Sequence, residues 1–196
     1  MNLWEFRSKL QKIEKHLPGG TSWHFLCDGS PLTCRIFLVG INPAREIEES
    51  FWDFWDDSRG FRRVEFIRKL KELPGGLTRT RKYIEIVAAA ARPREILETN
   101  IYPYAKPRAG DLTAEQKRTD AFDYLLHTIK PRVILAHGDE AKQFFRKHSI
   151  TLVENEMNSI NFDGLRIKLL PRKHLSYQTS YKEALKIGQA LARALV

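Results

Sequence analysis

Four short apolar runs alternate along this chain with longer segments of helical periodicity. The runs cover 35–39, 96–102, 132–136 and 166–170, and each has the length of a buried strand. Apolar residues three and four positions apart predict helices near 3–13, 66–70, 83–91, after Thr113, at 139–147 and at 181–195. The alternation predicts an α/β fold, a three-layer sandwich with a central, mainly parallel sheet of about four strands and helices on both faces.

Turn and cap signals refine this pattern. Thr113 with Gln116 three residues later is typical of a capping box, which predicts that a helix begins at Thr113. The segment 161–164, Asn-Phe-Asp-Gly, is a tight-turn signal that favours a small hairpin. The segment 46–61 is rich in aromatic and acidic residues and suits a long functional loop or short helices. Because the chain has no linker, repeat or low-complexity tract, we expect residues 1–196 to form a single domain.

Composition narrows the choice of partners. The chain has 33 Lys and Arg against 24 Asp and Glu, a formal net charge of +9, which favours a polyanion such as DNA. No apolar stretch has the length of a signal-peptide core or of a membrane span, so we expect a cytoplasmic protein (nuclear if the source is eukaryotic) with no membrane contact. We also expect a monomer. The spacing of Cys27 and Cys34 fits no common metal motif, and two thiols are too few for an iron–sulfur cluster. We expect two buried thiols, no metal and no cofactor.

Each predicted strand is followed by polar residues. The first is followed by Asn42, the second by Asn100, the third by His137-Gly138 and the fourth by His174-Leu175-Ser176. Because the carboxyl ends of parallel strands share one edge of a sheet, we expect these groups to converge on one site. A glycine-rich phosphate loop, a dinucleotide fingerprint and a nucleophile elbow are all absent from the sequence, which argues against the chemistries that those motifs serve.

The residues around these strand ends match family motifs. Gly40-Ile41-Asn42-Pro43 matches the first motif of the mismatch-specific uracil-DNA and thymine-DNA glycosylases. Asn100, within Glu98-Thr99-Asn100-Ile101, matches the strand-end Asn that binds the uracil edge in many members. His174-Leu175-Ser176 resembles the second motif, usually His-Pro-Ser or Asn-Pro-Ser.

Two further segments extend the match. Lys106-Pro107-Arg108 with Gly110 is similar to the basic turn after the second strand in the iron–sulfur branch, and 130–138 is similar to the third-strand segment. From about Arg35 to Gln178, the chain therefore resembles the uracil-DNA glycosylase superfamily.

The resemblance implies a DNA glycosylase that flips a uracil or related deaminated base out of the helix and hydrolyses its N-glycosidic bond, without a metal. It implies that Asn42 positions the attacking water and that His174 donates a hydrogen bond to the base O2, where charge develops. Asn100 would pair with the N3 and O4 edge, and Gly40 and Ile41 would border the base.

The resemblance also implies aromatic and DNA contacts. Counting from Asn42 places the aromatic that stacks on the flipped base at Phe54, with Phe51, Trp52 and Phe61 as alternatives. Tyr177 or Gln178 would fill the gap left in the duplex. The other predicted DNA contacts are Lys106, Arg108, Arg172, Lys173 and Ser176.

The chain departs from the family pattern at several positions. Ala44 replaces the usual Gly after Pro43, Leu175 replaces the usual Pro, and an acidic run follows the first motif, at Glu46, Glu48, Glu49, Asp53, Asp56 and Asp57. These departures leave two alternatives open. One is a nucleic-acid-binding module on the same fold without catalysis. The other is an enzyme that acts on free nucleobases or nucleosides.

Overall fold

The structure of this protein is a computed structural model that describes residues 1–147, 152–177 and 179–195. Its α-helices within these residues are α1 (Leu3–Glu14), α2 (Arg63–Glu72), α3 (Arg79–Ala90), α4 (Asp120–Ile129), α5 (Asp139–Arg146) and α6 (Tyr181–Ala194). Its strands are β1 (Phe25–Leu26), β2 (Asp28–Gly29), β3 (Ile36–Gly40), β4 (Trp55–Asp56), β5 (Gly60–Arg62), β6 (Ile96–Asn100), β7 (Val133–His137), β8 (Asn158–Phe162) and β9 (Leu165–Arg172).

The main sheet has the strand order β1-β6-β3-β7-β9-β8. The four central strands, β6, β3, β7 and β9, are parallel, whereas the edge strands β1 and β8 pair antiparallel with their neighbours. The predicted α/β fold and its four parallel strands are therefore confirmed, but the complete sheet is mixed. No helix in the described ranges is long and apolar enough to cross a membrane.

The two faces of the sheet carry separate apolar clusters because successive side chains of a strand point to opposite faces. Phe37 and Val39 of β3 pack with residues of α1, α4 and α5. Ile36 and Leu38 pack instead with residues of α3 and α6, including Val87. These are the three layers that the pattern predicts. The thiols of Cys27 and Cys34 are free and buried, as expected.

The turn signal at 161–164 gives the predicted hairpin. β8 pairs with β9, and the two loop residues, Asp163 and Gly164, have φ values of 46° and 81°. Positive φ at both central residues is the requirement of a type I′ turn, whose twist matches that of the strands.

The predicted start of the fourth helix is wrong. The capping box forms, because Gln116 N–H donates to Thr113 Oγ1 at 3.3 Å and Thr113 N–H donates to Gln116 Oε1 at 3.2 Å. It encloses only a 3₁₀ turn, Glu115–Lys117, after which Arg118 is extended (φ −85°, ψ 141°). Arg118 donates to Asp120 and to the His16 carbonyl, and these contacts favour the extended backbone that delays α4 until Asp120.

Close packing of α6 on α3 depends on Gly188. A Cβ atom there would lie 2.3 Å from the Val87 carbonyl oxygen and 2.7 Å from Ala90 Cβ. Both distances are shorter than any real carbon contact, so a larger side chain would force the helices apart. This contact sets the spacing of α6 from α3, and α3 forms part of the wall of the site described below.

We therefore expect Gly188→Ala to destabilise the protein although alanine is the better helix former. The propensity gain is about 0.8–1.0 kcal/mol, whereas overpacking costs about 1–3 kcal/mol. Urea unfolding should show a lower midpoint for Gly188→Ala than for the wild type. Gln189→Ala, at the exposed neighbouring position of the same helix, is the matched control. A higher midpoint for Gly188→Ala would show that the helices have room to spare.

Candidate active site

The register of the parallel strands brings their carboxyl ends to one level. Gly40 pairs with Asn100, and His137 pairs with Arg172 on the other side of β7. A cavity of about 290 Å³ opens at this edge of the sheet. Among the residues that line it are five of the predicted base-site residues, Gly40, Ile41, Asn42, Asn100 and His174. Groups that are up to 134 positions apart in the chain therefore share one cavity.

The orientation of the Asn42 side chain is fixed by two carbonyl groups. Its Nδ2 donates to the Pro43 carbonyl at 2.9 Å and to the Lys106 carbonyl at 2.7 Å. This network assigns the nitrogen and the oxygen of the amide, because the reverse orientation would set oxygen against oxygen. Both N–H groups are thus occupied, and Oδ1 remains as an acceptor for a water molecule.

His174 is held as a neutral hydrogen-bond donor. The backbone N–H of Ser176 donates to His174 Nδ1 at 3.3 Å, and Ser176 Oγ lies 2.7 Å from the same nitrogen. Burial lowers the pKa of His174, which favours the neutral ring. With Nδ1 as an acceptor, the single proton of that ring is on Nε2. A neutral imidazole with Nε2–H can donate to a carbonyl oxygen.

Gly40 is required because the neighbouring side chains approach its backbone closely. A Cβ atom at this position would lie 2.6 Å from Asn100 Oδ1 and 3.4 Å from His137 Nε2. The Asn100 amide therefore lies across the end of β3, in the space that any other residue would occupy. The first of these distances is too short for any carbon atom, so an alanine would displace the amide.

A second imidazole, His137, also lines the cavity. Its side chain is only 4% exposed, and its ring centroid lies 5.1 Å from that of His174 in an edge-to-face contact. Burial, and to a smaller extent His174 and Arg81, lower the pKa of His137 to about 3. The strand pattern indicated this residue as a strand end, but it suggested no role for a ring that is neutral and buried.

The structure does not place Phe54 at the cavity. The ring of Phe54 is buried, and its centroid lies 5.4 Å from that of Phe66 and 6.0 Å from that of Trp23. The aromatic residues that do line the cavity are Trp23, Phe25 and Phe66. Phe51–Phe54 forms a 3₁₀ helix that turns Phe51 and Phe54 into the core, and counting along the chain could not reveal this turn. The alternatives Phe51, Trp52 and Phe61 are also absent from the lining.

A buried ion pair forms another part of the cavity wall. Nη1 and Nη2 of Arg81, on α3, both donate to the carboxylate of Glu98, on β6, and both residues line the cavity. Glu85 Oε1 lies 3.5 Å from Arg81 Nη1 and accepts from Arg63 at 2.6 Å. The sequence did contain a signal for Glu98, because it is a charged residue within an otherwise largely apolar strand. No sequence signal distinguished Arg81, because arginine is common on helix surfaces.

The predicted DNA-contact residues differ in their solvent exposure and in whether their side chains already have partners. Arg108, Lys173 and Tyr177 are exposed, and the Tyr177 ring centroid lies 6.0 Å from that of His174. Lys106 Nζ lies 3.2 Å from Glu46 Oε1. The guanidinium of Arg172 donates to Glu183 on α6, and this bond competes with its predicted phosphate contact. Gln178 lies outside the described residues.

Three of the six acidic residues after the first motif are paired with cations. Besides the contact of Glu46 with Lys106, Glu49 lies 2.7 Å from Lys69 Nζ and Asp57 lies 2.9 Å from Arg7 Nη1. Their partners reduce the repulsion that a phosphate backbone would meet there. Over 1–147, 152–177 and 179–195, no group of three or more His, Cys, Asp and Glu side chains has a metal-binding arrangement.

The burial of His137 makes the stability of the fold depend on pH. The pKa of His137 is about 3 in the folded protein, below the unfolded value near 6.5. As the pH falls below 6.5, the unfolded chain binds a proton that the folded protein does not bind, so the free energy of unfolding decreases. We expect this group to remove about 2 kcal/mol between pH 8 and pH 5. Urea unfolding of His137→Asn should show a pH dependence that is shallower by that amount. His16→Asn, at an exposed position, is the control. Equal pH dependence in wild type and His137→Asn would contradict the assignment.

Comparison with known proteins identifies the family of this chain. A family model described as the uracil DNA glycosylase superfamily matches residues 27–195, which is most of the chain. A search of curated proteins finds no significant match. The matched segment contains all four parallel strands and every predicted strand-end residue of the cavity. The chain therefore belongs to the uracil DNA glycosylase superfamily.

Proposed function

We propose that this protein is a DNA glycosylase that hydrolyses the N-glycosidic bond of a flipped uracil or a related deaminated base. One observation carries the proposal: Asn42, Asn100 and His174 line one cavity, and neighbouring groups already orient the Asn42 amide and the His174 ring. Oriented groups are what a reaction needs when it lacks a strong base, because positioning lowers the entropic part of the barrier. Membership of the superfamily supports the same reaction class.

In the proposed reaction, Asn42 Oδ1 accepts a hydrogen bond from the attacking water. The water oxygen bonds to C1′ of the sugar while the C1′–N bond breaks, and the bonding pair leaves with the base. An amide oxygen cannot take the proton of that water, which finally protonates the departed base. The role of Asn42 is therefore to place the water, and it depends on the two carbonyls that hold Nδ2.

The departing base carries negative charge, and the cavity supplies donors for it. His174 Nε2–H would donate to the base O2, and the Asn100 amide would offer one donor and one acceptor to the N3 and O4 edge. Removing a preorganised donor of this kind typically costs about 2.7–4 kcal/mol of barrier. The ring of Trp23 or Phe66, rather than Phe54, would provide the stacking wall.

DNA would approach the rim of the cavity where Tyr177 is exposed. Tyr177 is 69% exposed beside His174, so it could fill the gap that the flipped base leaves. Lys106, Arg108, Lys173 and Ser176 would contact phosphates, in keeping with the net charge of +9. A monomer is sufficient for the proposal because one chain supplies all of these groups.

The test is alkaline cleavage of a uracil-containing oligonucleotide, single-stranded or with uracil opposite G or A. We expect wild-type protein to create abasic sites and Asn42→Ala to be slower by about 100-fold or more, because the water loses its acceptor. Binding of the oligonucleotide by Asn42→Ala should remain within a few-fold of wild type. Phe51→Leu, in the core behind the cavity, is the control for indirect packing effects.

Other outcomes would separate the alternatives. Salt-sensitive binding without abasic product from uracil or any other damaged base would indicate a binding module. Release of bases from free nucleosides, but not from DNA, would indicate a nucleoside enzyme. Equal rates for Asn42→Ala and wild type would remove Asn42 from the mechanism.

A further inference from the structure

A groove separate from the candidate active site runs between α6 and β9. Its volume is about 550 Å³, and its lining includes Leu170 and Arg172 on β9 and Lys182 and Lys186 on α6. The helix runs back along the strand, since Glu183 near the start of α6 accepts from Arg172 at the end of β9. One end of the groove therefore lies where β9 ends.

The face of the sheet beside this groove is uncovered. Leu170 packs in the apolar cluster of α3 and α6. Alternate side chains of a strand share a face, so Lys168 and Arg166 continue the face of Leu170 along β9. Their direct partners on β8 are Ser159 and Asn161, and all four of these residues are exposed. The part of the chain that the structure describes thus leaves this face of the β8–β9 hairpin open beside α6.

The groove and the open face carry positive charge that is not neutralised. Four exposed cations border them: Arg166, Lys168, Lys182 and Lys186. Among the described residues none of the four has an ion-pair partner, whereas Arg172 is paired with Glu183. Unpaired cations on a concave surface attract a polyanion, because the complex releases counterions.

Two exposed tyrosines at the end of the groove distinguish a nucleic acid from an acidic protein. Tyr177 is 69% exposed, and Tyr181, the first residue of α6, is 64% exposed. Within the described ranges, Trp4 is the only other aromatic residue that is more than half exposed. Proteins bind single strands by stacking bases on aromatic rings while cations follow the phosphates. The tyrosines and the cations together match that mode of binding.

The dimensions of the open face favour a single strand over a duplex. Arg166 and Arg172 are six positions apart on β9, which corresponds to about 20 Å of strand. The uncovered face is two strands wide, about 10 Å. A strip of this width is narrower than a DNA duplex, whereas an extended single strand fits along it.

We propose that the groove between α6 and the β8–β9 hairpin binds single-stranded DNA that flanks the target base on one side. β9 ends at Arg172, and the next two residues, Lys173 and His174, lead to the rim of the cavity. A strand whose base enters the cavity would pass the two tyrosines and then the cations of the groove. The proposal rests on the proposed function in taking DNA as the polyanion, and it adds a contact surface outside the DNA contacts named there.

The first test needs only wild-type protein. It measures binding of short single strands with one 2′-fluoro-2′-deoxyuridine, extended by about six nucleotides on the 5′ side, on the 3′ side or on neither. We expect extension on one side to raise the affinity about tenfold or more at low salt, through added phosphate and stacking contacts. Extension on the other side should change it by a few-fold at most. Equal gains on both sides, no gain, or tighter binding of the extended duplex would overturn the proposal.

The second test removes three groove lysines in one variant, Lys168→Gln with Lys182→Gln and Lys186→Gln. The gain from the favourable extension should be lost. The slope of log K against log salt should also become shallower by about 2, since each phosphate contact contributes about 0.7 with a single strand. A wild-type gain and slope in this variant would overturn the proposal.

The matched control removes three exposed lysines on or directly after α1, Lys9→Gln with Lys12→Gln and Lys15→Gln. α1 packs on the other face of the sheet, and the net charge changes by the same amount. The control should keep the gain from extension and the wild-type slope. An equal loss in the control would show that net charge, rather than the groove, holds the strand.

Activity separates the failure of this proposal from the failure of the proposed function. The groove variant should release uracil from the unextended strand at the wild-type rate, because none of its three lysines lines the cavity. Release of uracil with no effect of extension would refute the groove and leave the glycosylase function intact. One-sided gain that depends on the groove lysines, without release of any base, would support the groove and refute the glycosylase function. Tighter binding of a polyglutamate peptide than of the extended strand would overturn the assignment of DNA as the occupant.

Discussion

The site depends on the close approach of two side chains to the backbone of Gly40. The last residue of β3 lies between Asn100 and His137, and the space where a Cβ atom would stand is taken by the Asn100 amide at 2.6 Å. A glycine at this strand end lets one carboxamide cross the strand without displacing the sheet. The register of the parallel strands then places the next groups around the same point. The cavity is a consequence of this backbone arrangement.

Hydrogen bonds from ordinary backbone groups give the polar side chains their direction. Two carbonyls hold the Asn42 amide, and the Ser176 amide holds the His174 ring. Burial keeps His137 and His174 neutral, because a charged ring would lose its water without gaining a partner. Arg81 and Glu98, two charged residues that line the cavity, neutralise each other, whereas Arg45, which also lines it, donates to the Gly76 carbonyl. The site is therefore strongly directional, as suits a neutral base that becomes an anion as it leaves.

The sequence was sufficient to predict the layers of the fold and the polar groups at the strand ends. Apolar runs between helical segments predict the parallel strands, and the parallel arrangement makes Asn42, Asn100 and His174 neighbours. What the sequence could not give depends on local three-dimensional turns. Phe54 is turned into the core by a 3₁₀ helix, and α4 begins at Asp120 because Arg118 is extended. Arg81 becomes part of the site only because α3 packs over the face that carries Glu98.

The most direct test of the central claim is a crystal structure with an oligonucleotide that contains 2′-fluoro-2′-deoxyuridine, whose glycosidic bond resists cleavage. The account predicts the uracil ring flipped into the cavity, with His174 Nε2 at hydrogen-bond distance from O2 and a water molecule between Asn42 Oδ1 and C1′. A base that remains stacked in the DNA, or that binds away from Asn42, Asn100 and His174, would contradict it.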